Sequence, residues 1–274
     1  MIKAQLYYYN NADLLECPVW DPKKGILYCI EIRKNRVYAI NPTDRSCRSY
    51  DCGSTVGWIY LKRDGNLFAA KKDGIFELNV DTGAFTYLIH AEPDVRMRYN
   101  DGVLDRKGRI LVGTKGDKGK MEGQGALWSC ENNGDVRKLI PGCTVSNGVC
   151  FSHDGNTLYH IDSPTLEVCA YKYDINTGNI SDRRVVTKIE GGGEPDGMCI
   201  DRDGMLWVAE HMGSKVCRWT PEGNLLEIVA VPCLGATSCC IGGENMDTLF
   251  VTTMRTKGVF EPLAGGLFSA KVFN

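Results

Sequence analysis

The chain has 274 residues, with 32 Lys and Arg against 34 Asp and Glu, a formal net charge of −2 and a sequence pI near 6.1. That balance gives no electrostatic reason to expect nucleic acid or an anionic membrane as a partner, since both select clustered Lys and Arg. With 43% hydrophobic and 24% charged residues, the composition is that of a folded globular protein with ample apolar surface for a core.

From the N-terminus, residues 2–9 form a β-prone stretch with no adjacent partner, and residues 1–10 lack an apolar segment ending in a small-residue cleavage site. No run of about 18 apolar residues follows. The expectation is an unprocessed, cytoplasmic chain. Thirteen cysteines, an odd number without any Cys-x-x-Cys spacing, predict reduced thiols used as small buried hydrophobes.

Beyond residue 20, a turn carrying Asp and usually Gly, followed by a short apolar run, returns six times. Its anchors are Gly25, Gly65, Gly108, Gly155, Gly204 and Asp247, at intervals of 40, 43, 47, 49 and 43 residues. A second strand signature ends at Ile40, Leu78, Cys130, Tyr173, Trp219 and Ala270. Hairpin turns such as Asp81-Thr82-Gly83 and Asn176-Thr177-Gly178 punctuate the units, and no window carries a 3.6-residue periodicity. Six units of three or four short strands predict an all-β, six-bladed β-propeller over residues 1–274, as one domain. A β-sandwich pair or a barrel is the weaker alternative, needing fewer and less regular repeats. The last unit is one strand short, so the N-terminal strand is predicted to complete the last blade.

The innermost strand of each propeller blade lines the central channel, so residues at one repeat phase converge in space. Glu16 lies nine residues before its anchor, and Asn100, Asn147 and Asp196 lie eight before theirs; the other two units place Gly57 and Ser238-Cys239 there. An all-oxygen set of this kind suits a hard divalent ion, Ca²⁺, Mg²⁺ or Mn²⁺, with Zn²⁺ less expected. Each residue alone reads as a strand-end polar group bonded to backbone; their shared phase favours the metal. Such an ion would activate water or polarise a carbonyl, which is hydrolase chemistry. No Gly-x-Ser-x-Gly elbow, His-Glu-x-x-His pair, phosphate loop or dinucleotide fingerprint competes with it. His160 and His211 are read as structural histidines near the channel, and His90 and His153 as surface residues.

Ordered motifs along nearly the whole chain resemble the family of senescence marker protein (regucalcin), gluconolactonase and luciferin-regenerating enzyme. They include Leu15-Glu16-Cys17-Pro18-Val19-Trp20-Asp21, Arg98-Tyr99-Asn100-Asp101-Gly102, Ser146-Asn147-Gly148, Pro195-Asp196-Gly197 and Ala264-Gly265-Gly266-Leu267-Phe268. The resemblance implies a six-bladed propeller with one divalent ion, Ca²⁺ foremost, that hydrolyses a small-molecule sugar lactone to the aldonic acid. It implies Glu16, Asn147 and Asp196 as metal ligands, Asp196 as general base, Arg98 and Asn100 as substrate-binding residues, and Glu122 as a further substrate contact. Where the family commonly has Gly-Thr-Met, this chain has Gly113-Thr114-Lys115 followed by a cationic segment to Lys120. Lys115 or a neighbour is therefore expected, on a flexible lid, to meet an anionic substrate group or the developing oxyanion, the alternative being a solvated loop lysine. The competing readings are a calcium-binding protein without turnover and an arylesterase-type hydrolase on the same ion.

Overall fold

A computed structural model of the chain describes residues 1–273. Apart from one 3-10 turn, Ser163–Thr165, its regular elements are all strands. After two short N-terminal strands, β1 (Ile2–Lys3) and β2 (Gln5–Tyr8), four antiparallel four-stranded sheets follow in chain order, each pairing successive strands. They are β3 (Leu15–Asp21), β4 (Ile26–Glu31), β5 (Arg36–Ile40) and β6 (Cys47–Asp51); β7 (Val56–Leu61), β8 (Leu67–Lys71), β9 (Gly74–Leu78) and β10 (Phe85–Ile89); β11 (Met97–Leu104), β12 (Ile110–Gly116), β13 (Gly125–Cys130) and β14 (Val136–Cys143); and β15 (Ser146–Phe151), β16 (Thr157–Asp162), β17 (Glu167–Asp174) and β18 (Asn179–Lys188). The remaining strands repeat the pattern as β19 (Glu194–Ile200), β20 (Leu206–His211), β21 (Lys215–Trp219), β22 (Leu225–Ala230), then β23 (Gly235–Gly242), β24 (Thr248–Met254) and β25 (Leu267–Lys271), linked through the single pair His211–Gly235. The architecture is all-β, with the repeated four-stranded sheets of a β-propeller.

The N-terminal segment divides its pairing. Gln5–Tyr8 runs antiparallel to Leu267–Lys271, as the short last unit requires, whereas Ile2 and Lys3 pair in parallel with Val229 and Ala230. Ala4, between them, is buried. Sequence periodicity does not reveal this split, because a two-residue strand has no period to read.

The repeated Asp turns explain the sequence anchors. Asp105 Oδ1 accepts the N–H groups of Lys107 and Arg109, each at 2.8 Å, and Asp201 Oδ1 accepts those of Asp203 and Met205 at 2.9 and 3.0 Å. Each such side chain mimics a backbone acceptor and closes the turn between the first and second strands of its sheet. Second strands such as β4 and β20 are buried on both faces, hence their nearly unbroken apolar runs. Between the sheets lie Trp58, Trp207, Tyr28 and Phe250, each at most 2% exposed, and burial of side chains this large contributes about 1.5–3 kcal/mol apiece.

The first strands pack side by side in the order β3, β7, β11, β15, β19, β23, and β23 packs back against β3. At that last junction Thr237 Oγ1 donates to the Leu15 carbonyl at 2.6 Å. Every first strand carries a register irregularity against its second strand at the same place, between Glu16 and Val19, Val56 and Trp58, Tyr99 and Gly102, Asn147 and Val149, Pro195 and Met198, and Ala236 and Ser238. A bulge re-aims the side chains beside it, and these sit at the repeat phase that carries the polar residues.

Candidate metal and substrate site

The first strands carry Glu16, Asn100, Asn147 and Asp196 to the wall of one cavity of about 400 Å³, which Arg98 and Lys115 also line. Glycines permit the close approach of these strands. A Cβ on Gly148, the residue after Asn147, would lie 2.6 Å from the Asp196 carbonyl oxygen, and one on Gly197 would overlap the Ser238 side chain. Cys17 adopts a left-handed backbone with φ of 47°, uncommon outside glycine, and its N–H donates to Glu16 Oε2 at 2.6 Å. That local conformation fixes the Glu16 carboxylate against its own backbone. A larger, more open cavity of about 880 Å³ runs along the N-terminal strands and β25 but holds none of the same-phase residues.

Hydrogen bonds tie the neutral members together. Asn100 Nδ2 donates to Asn147 Oδ1 at 2.6 Å and to the Ser146 carbonyl at 2.9 Å, while Arg98 Nη1 donates to Asn100 Oδ1 at 2.9 Å. Asn147 Nδ2 donates to Ser163 Oγ at 2.9 Å, and Ser163 Oγ donates in turn to the Pro195 carbonyl at 2.6 Å. Asn147 is thus oriented from both sides, its oxygen toward Asn100 and its nitrogen toward the next inner strand.

The carboxylates are held differently. Glu16 is pushed well above the ordinary carboxylate range by burial and then by the charges of Asp196 and Asp101, against the opposing Cys17 N–H and Arg98. Asp196 is pushed up to about 8, first by burial and then by Asp101, with Lys115 and Asn147 opposing. Neither carboxylate forms an ion pair among the described residues, so each waits for positive charge. Among the described residues no three His, Cys, Asp or Glu side chains group closely enough to hold an ion. An ion here would therefore take the Asn147 amide oxygen beside the two carboxylates. Two uncompensated carboxylates and an oriented amide oxygen fit a hard divalent cation.

Sequence phase missed two sets of residues. Asp101, next to Asn100, is buried, lines a second cavity of about 430 Å³ beside Cys17, Cys199 and Cys239, and is pushed up to about 7 by burial. Its charge adds to burial in raising Asp196. The connections after the second strands also face the site, placing Arg33, Ser163, His211 and Met212 in the cavity wall. They lie seven or eight residues after the same anchors, so a second phase of the repeat was available to find them.

His211 has a buried Nδ1 without a partner among the described residues. His160 is structural: buried, in contact through Nε2 with Ser146 Oγ at 2.8 Å, and pushed down to about 4 by burial. Lys115 departs from its expected place on a flexible lid. It lies within β12, directly opposite Arg98 on β11 and bridged to Val145. Glu122 is not brought to the cavity; it is exposed in a turn that Gly123 enters with φ of 65°. All thirteen cysteines are free thiols, as predicted, with Cys199 and Cys239 Sγ 3.8 Å apart. No helix among the described residues is long and apolar enough to cross a membrane.

Residues 14–255 match the family described as SMP-30/Gluconolactonase/LRE-like region. Regucalcin of Xenopus laevis is 35% identical over 259 residues, 92% of this chain and 87% of that protein. A Bacillus subtilis relative named for sugar lactone lactonase activity is 32% identical over 272 residues, covering 96% and 92% of the two chains. A solved regucalcin from Agrobacterium tumefaciens, described as a calcium-binding protein, superposes with a TM-score of 0.91 over 100% of this chain and 96% of that one, at 24% identity. With these residues matched in order and the same fold, the chain belongs to the SMP-30/gluconolactonase/LRE-like family.

Proposed function

We propose that this protein hydrolyses a sugar lactone to the aldonic acid with the help of one divalent metal ion, Ca²⁺ foremost. The observation that carries this reading is the pair of buried, uncompensated carboxylates, Glu16 and Asp196, beside the oriented amide of Asn147. Its frame is a six-bladed propeller of one domain, supported by the closed order of first strands from β3 to β23 and back, with β2 completing the last blade. Thirteen free thiols suit a reducing, cytoplasmic setting.

Glu16, Asn147 and Asp196 would hold the ion, which when bound polarises the lactone carbonyl and stabilises negative charge on its oxygen. Asp196 accepts the proton of the attacking water. Without added positive charge its carboxyl stays protonated up to about pH 8, so its use as a base at neutral pH depends on the cation. Water oxygen bonds to the acyl carbon, the ring C–O bond breaks, the proton taken by Asp196 passes to the ring oxygen, which leaves as a hydroxyl, and the new carboxylic acid releases the second water proton to solvent. Arg98 donates to substrate oxygens, and Asn100 holds both Arg98 and Asn147 in place. Fixed geometry of this kind matters because misplacement by about 1 Å can cost 10²-fold in rate. The charged walls disfavour an arylesterase-type substrate.

The test is proton release from a panel of hexono-, pentono- and deoxyaldonolactones by protein reconstituted with Ca²⁺, Zn²⁺, Mg²⁺ or Mn²⁺. Turnover that disappears with chelator is expected. Tight metal binding without turnover of any lactone would overturn the enzyme reading and leave a calcium-binding protein.

A further inference from the structure

Arg98 and Lys115 stand directly opposite each other on β11 and β12, both lining the cavity. Like charges in directly opposed cross-strand positions repel; Glu16 and Asp196 offset this from a distance, but they are the carboxylates that the ion of the proposed function would take, and no acid is bonded to either cation among the described residues. Arg98 donates only to neutral acceptors, the Tyr99 carbonyl at 2.8 Å and Asn100 Oδ1 at 2.9 Å. The Lys115 side chain makes no hydrogen bond or ion pair among the described residues. Of the other nearby acids, Glu194 holds Lys120 at 2.8 Å and Asp117 holds Lys72 at 2.5 Å. Lys115 is pushed down to about 8, by burial and then by the charge of Arg98, with Asp196 and Glu16 opposing.

The charge balance of the whole cavity points the same way. Its walls carry Arg33, Arg98, Lys115 and Lys120 against Glu16, Glu194 and Asp196, and the divalent ion of the proposed function adds two further positive charges. A neutral polyol needs hydrogen bonds from such walls, not net charge. Partly buried cations without a counter-charge cost free energy, and that cost is recovered when the ligand itself brings the anion.

We propose that the substrate is an anionic sugar lactone, carrying a carboxylate or a phosphate at the end remote from the reacting carbonyl, which Arg98 and Lys115 receive together. This rests on the lactonase reading and names its substrate class. Paired cationic donors favour either group through charge-assisted hydrogen bonds.

The experiment compares kcat/KM of the metal-reconstituted protein for a neutral hexonolactone, the monolactone of a hexaric acid and a 6-phosphohexonolactone. The expected result is a preference for one anionic substrate of about tenfold or more, carried mainly by KM, the favoured arm telling carboxylate from phosphate. In Lys115→Met the anionic-to-neutral ratio falls toward one; Lys115→Arg keeps it, as does Lys118→Met, an exposed lysine outside the cavity. Thermal melting confirms that each variant folds. Equal or better use of the neutral lactone by the native protein, or a ratio that survives in folded Lys115→Met, overturns the proposal while leaving lactonase activity standing. Should no lactone be turned over, the lactonase reading falls and calorimetry decides this one separately. Hexarate and 6-phosphohexonate are compared with hexonate on the metal-loaded protein: tighter binding of either of the two more highly charged anions that Lys115→Met abolishes supports it, and equal binding of all three overturns it.

Discussion

The two ends of the same first strands treat buried carboxylates in opposite ways. At the C-terminal ends, Asp105 and Asp201 are almost wholly buried and saturated: each accepts two backbone N–H groups, Asp105 pairs with Arg109 at 2.8 Å, and Asp201 pairs with Arg218 at 2.7 Å and accepts from Trp207 Nε1. At the N-terminal ends, Glu16 has only the Cys17 N–H, and neither it nor Asp196 has a cationic partner bonded to it. The first arrangement holds the fold together. The second leaves buried carboxyl groups above their ordinary range with no cation bonded to them, at the end of the strands where the proposed metal site lies.

Substitutions separate the two ends. Asp196→Asn is expected to reduce turnover by about 10²–10⁴-fold or more, the range for loss of a general base, and to weaken metal binding. Its chelated form should melt at or above the native temperature, because the cost of holding a buried carboxyl above its ordinary range is removed. Asp201→Asn should do the reverse, costing about 1.5–3 kcal/mol by weakening the charge-assisted bonds from Arg218 and Trp207 and leaving Arg218 only its partly exposed partner Asp203, with turnover per folded molecule retained. Urea titration and proton-release assays on both variants check the contrast; a destabilised Asp196→Asn would erase it.

A smaller effect tests how the neutral ligand is held. Ser163 accepts from Asn147 Nδ2 and donates to the Pro195 carbonyl, joining two inner strands around the site. Ser163→Ala should weaken metal affinity by about 10–100-fold, the usual cost of losing a partner that orients a ligand, with the melting temperature of the chelated protein changed little. Calorimetric titration with Ca²⁺ and with Mn²⁺ measures it.

How far the sequence could be read follows from what its repeat encodes. The Asp turns have a fixed chemistry, so their spacing located every first strand and, by counting back, Glu16, Asn100, Asn147 and Asp196. Counting back cannot tell which side of a strand a residue faces once a bulge intervenes, and each first strand has one there. Asp101 was therefore invisible beside Asn100. Ser163 and Arg33 were missed because only one phase was used. Lys115 looked like part of a loop because four of the next five residues are glycine or lysine, yet its pairing with Arg98 extends the strand through Gly116. Glu122 rested on motif alignment alone, and no local physics tied it to the cavity.

The smallest effect expected is on pH, and its sign follows from the same contrast. In chelated protein, Asp196 keeps its proton up to about pH 8, against an ordinary value of 3.8, and Glu16 and Asp101 are shifted the same way. Through that interval the folded chain binds more protons than the unfolded one, so stability falls as pH rises. His160 opposes this at the acid end: held at about 4 against 6.5, it adds stability as pH rises to 6.5 and none beyond. Lys115, at about 8 against 10.5, acts only above 8. Between pH 6.5 and 8 the carboxylates therefore act alone among the shifted groups of the site, and the melting temperature in chelator should decline. Added Ca²⁺ competes with those protons, so the gain in melting temperature on adding it should widen over the same interval. A chelated protein whose melting temperature rises from pH 6.5 to 8 would show that Glu16 and Asp196 are neutralised within the fold, as Asp105 and Asp201 are, and that this end of the strands is no different from the other.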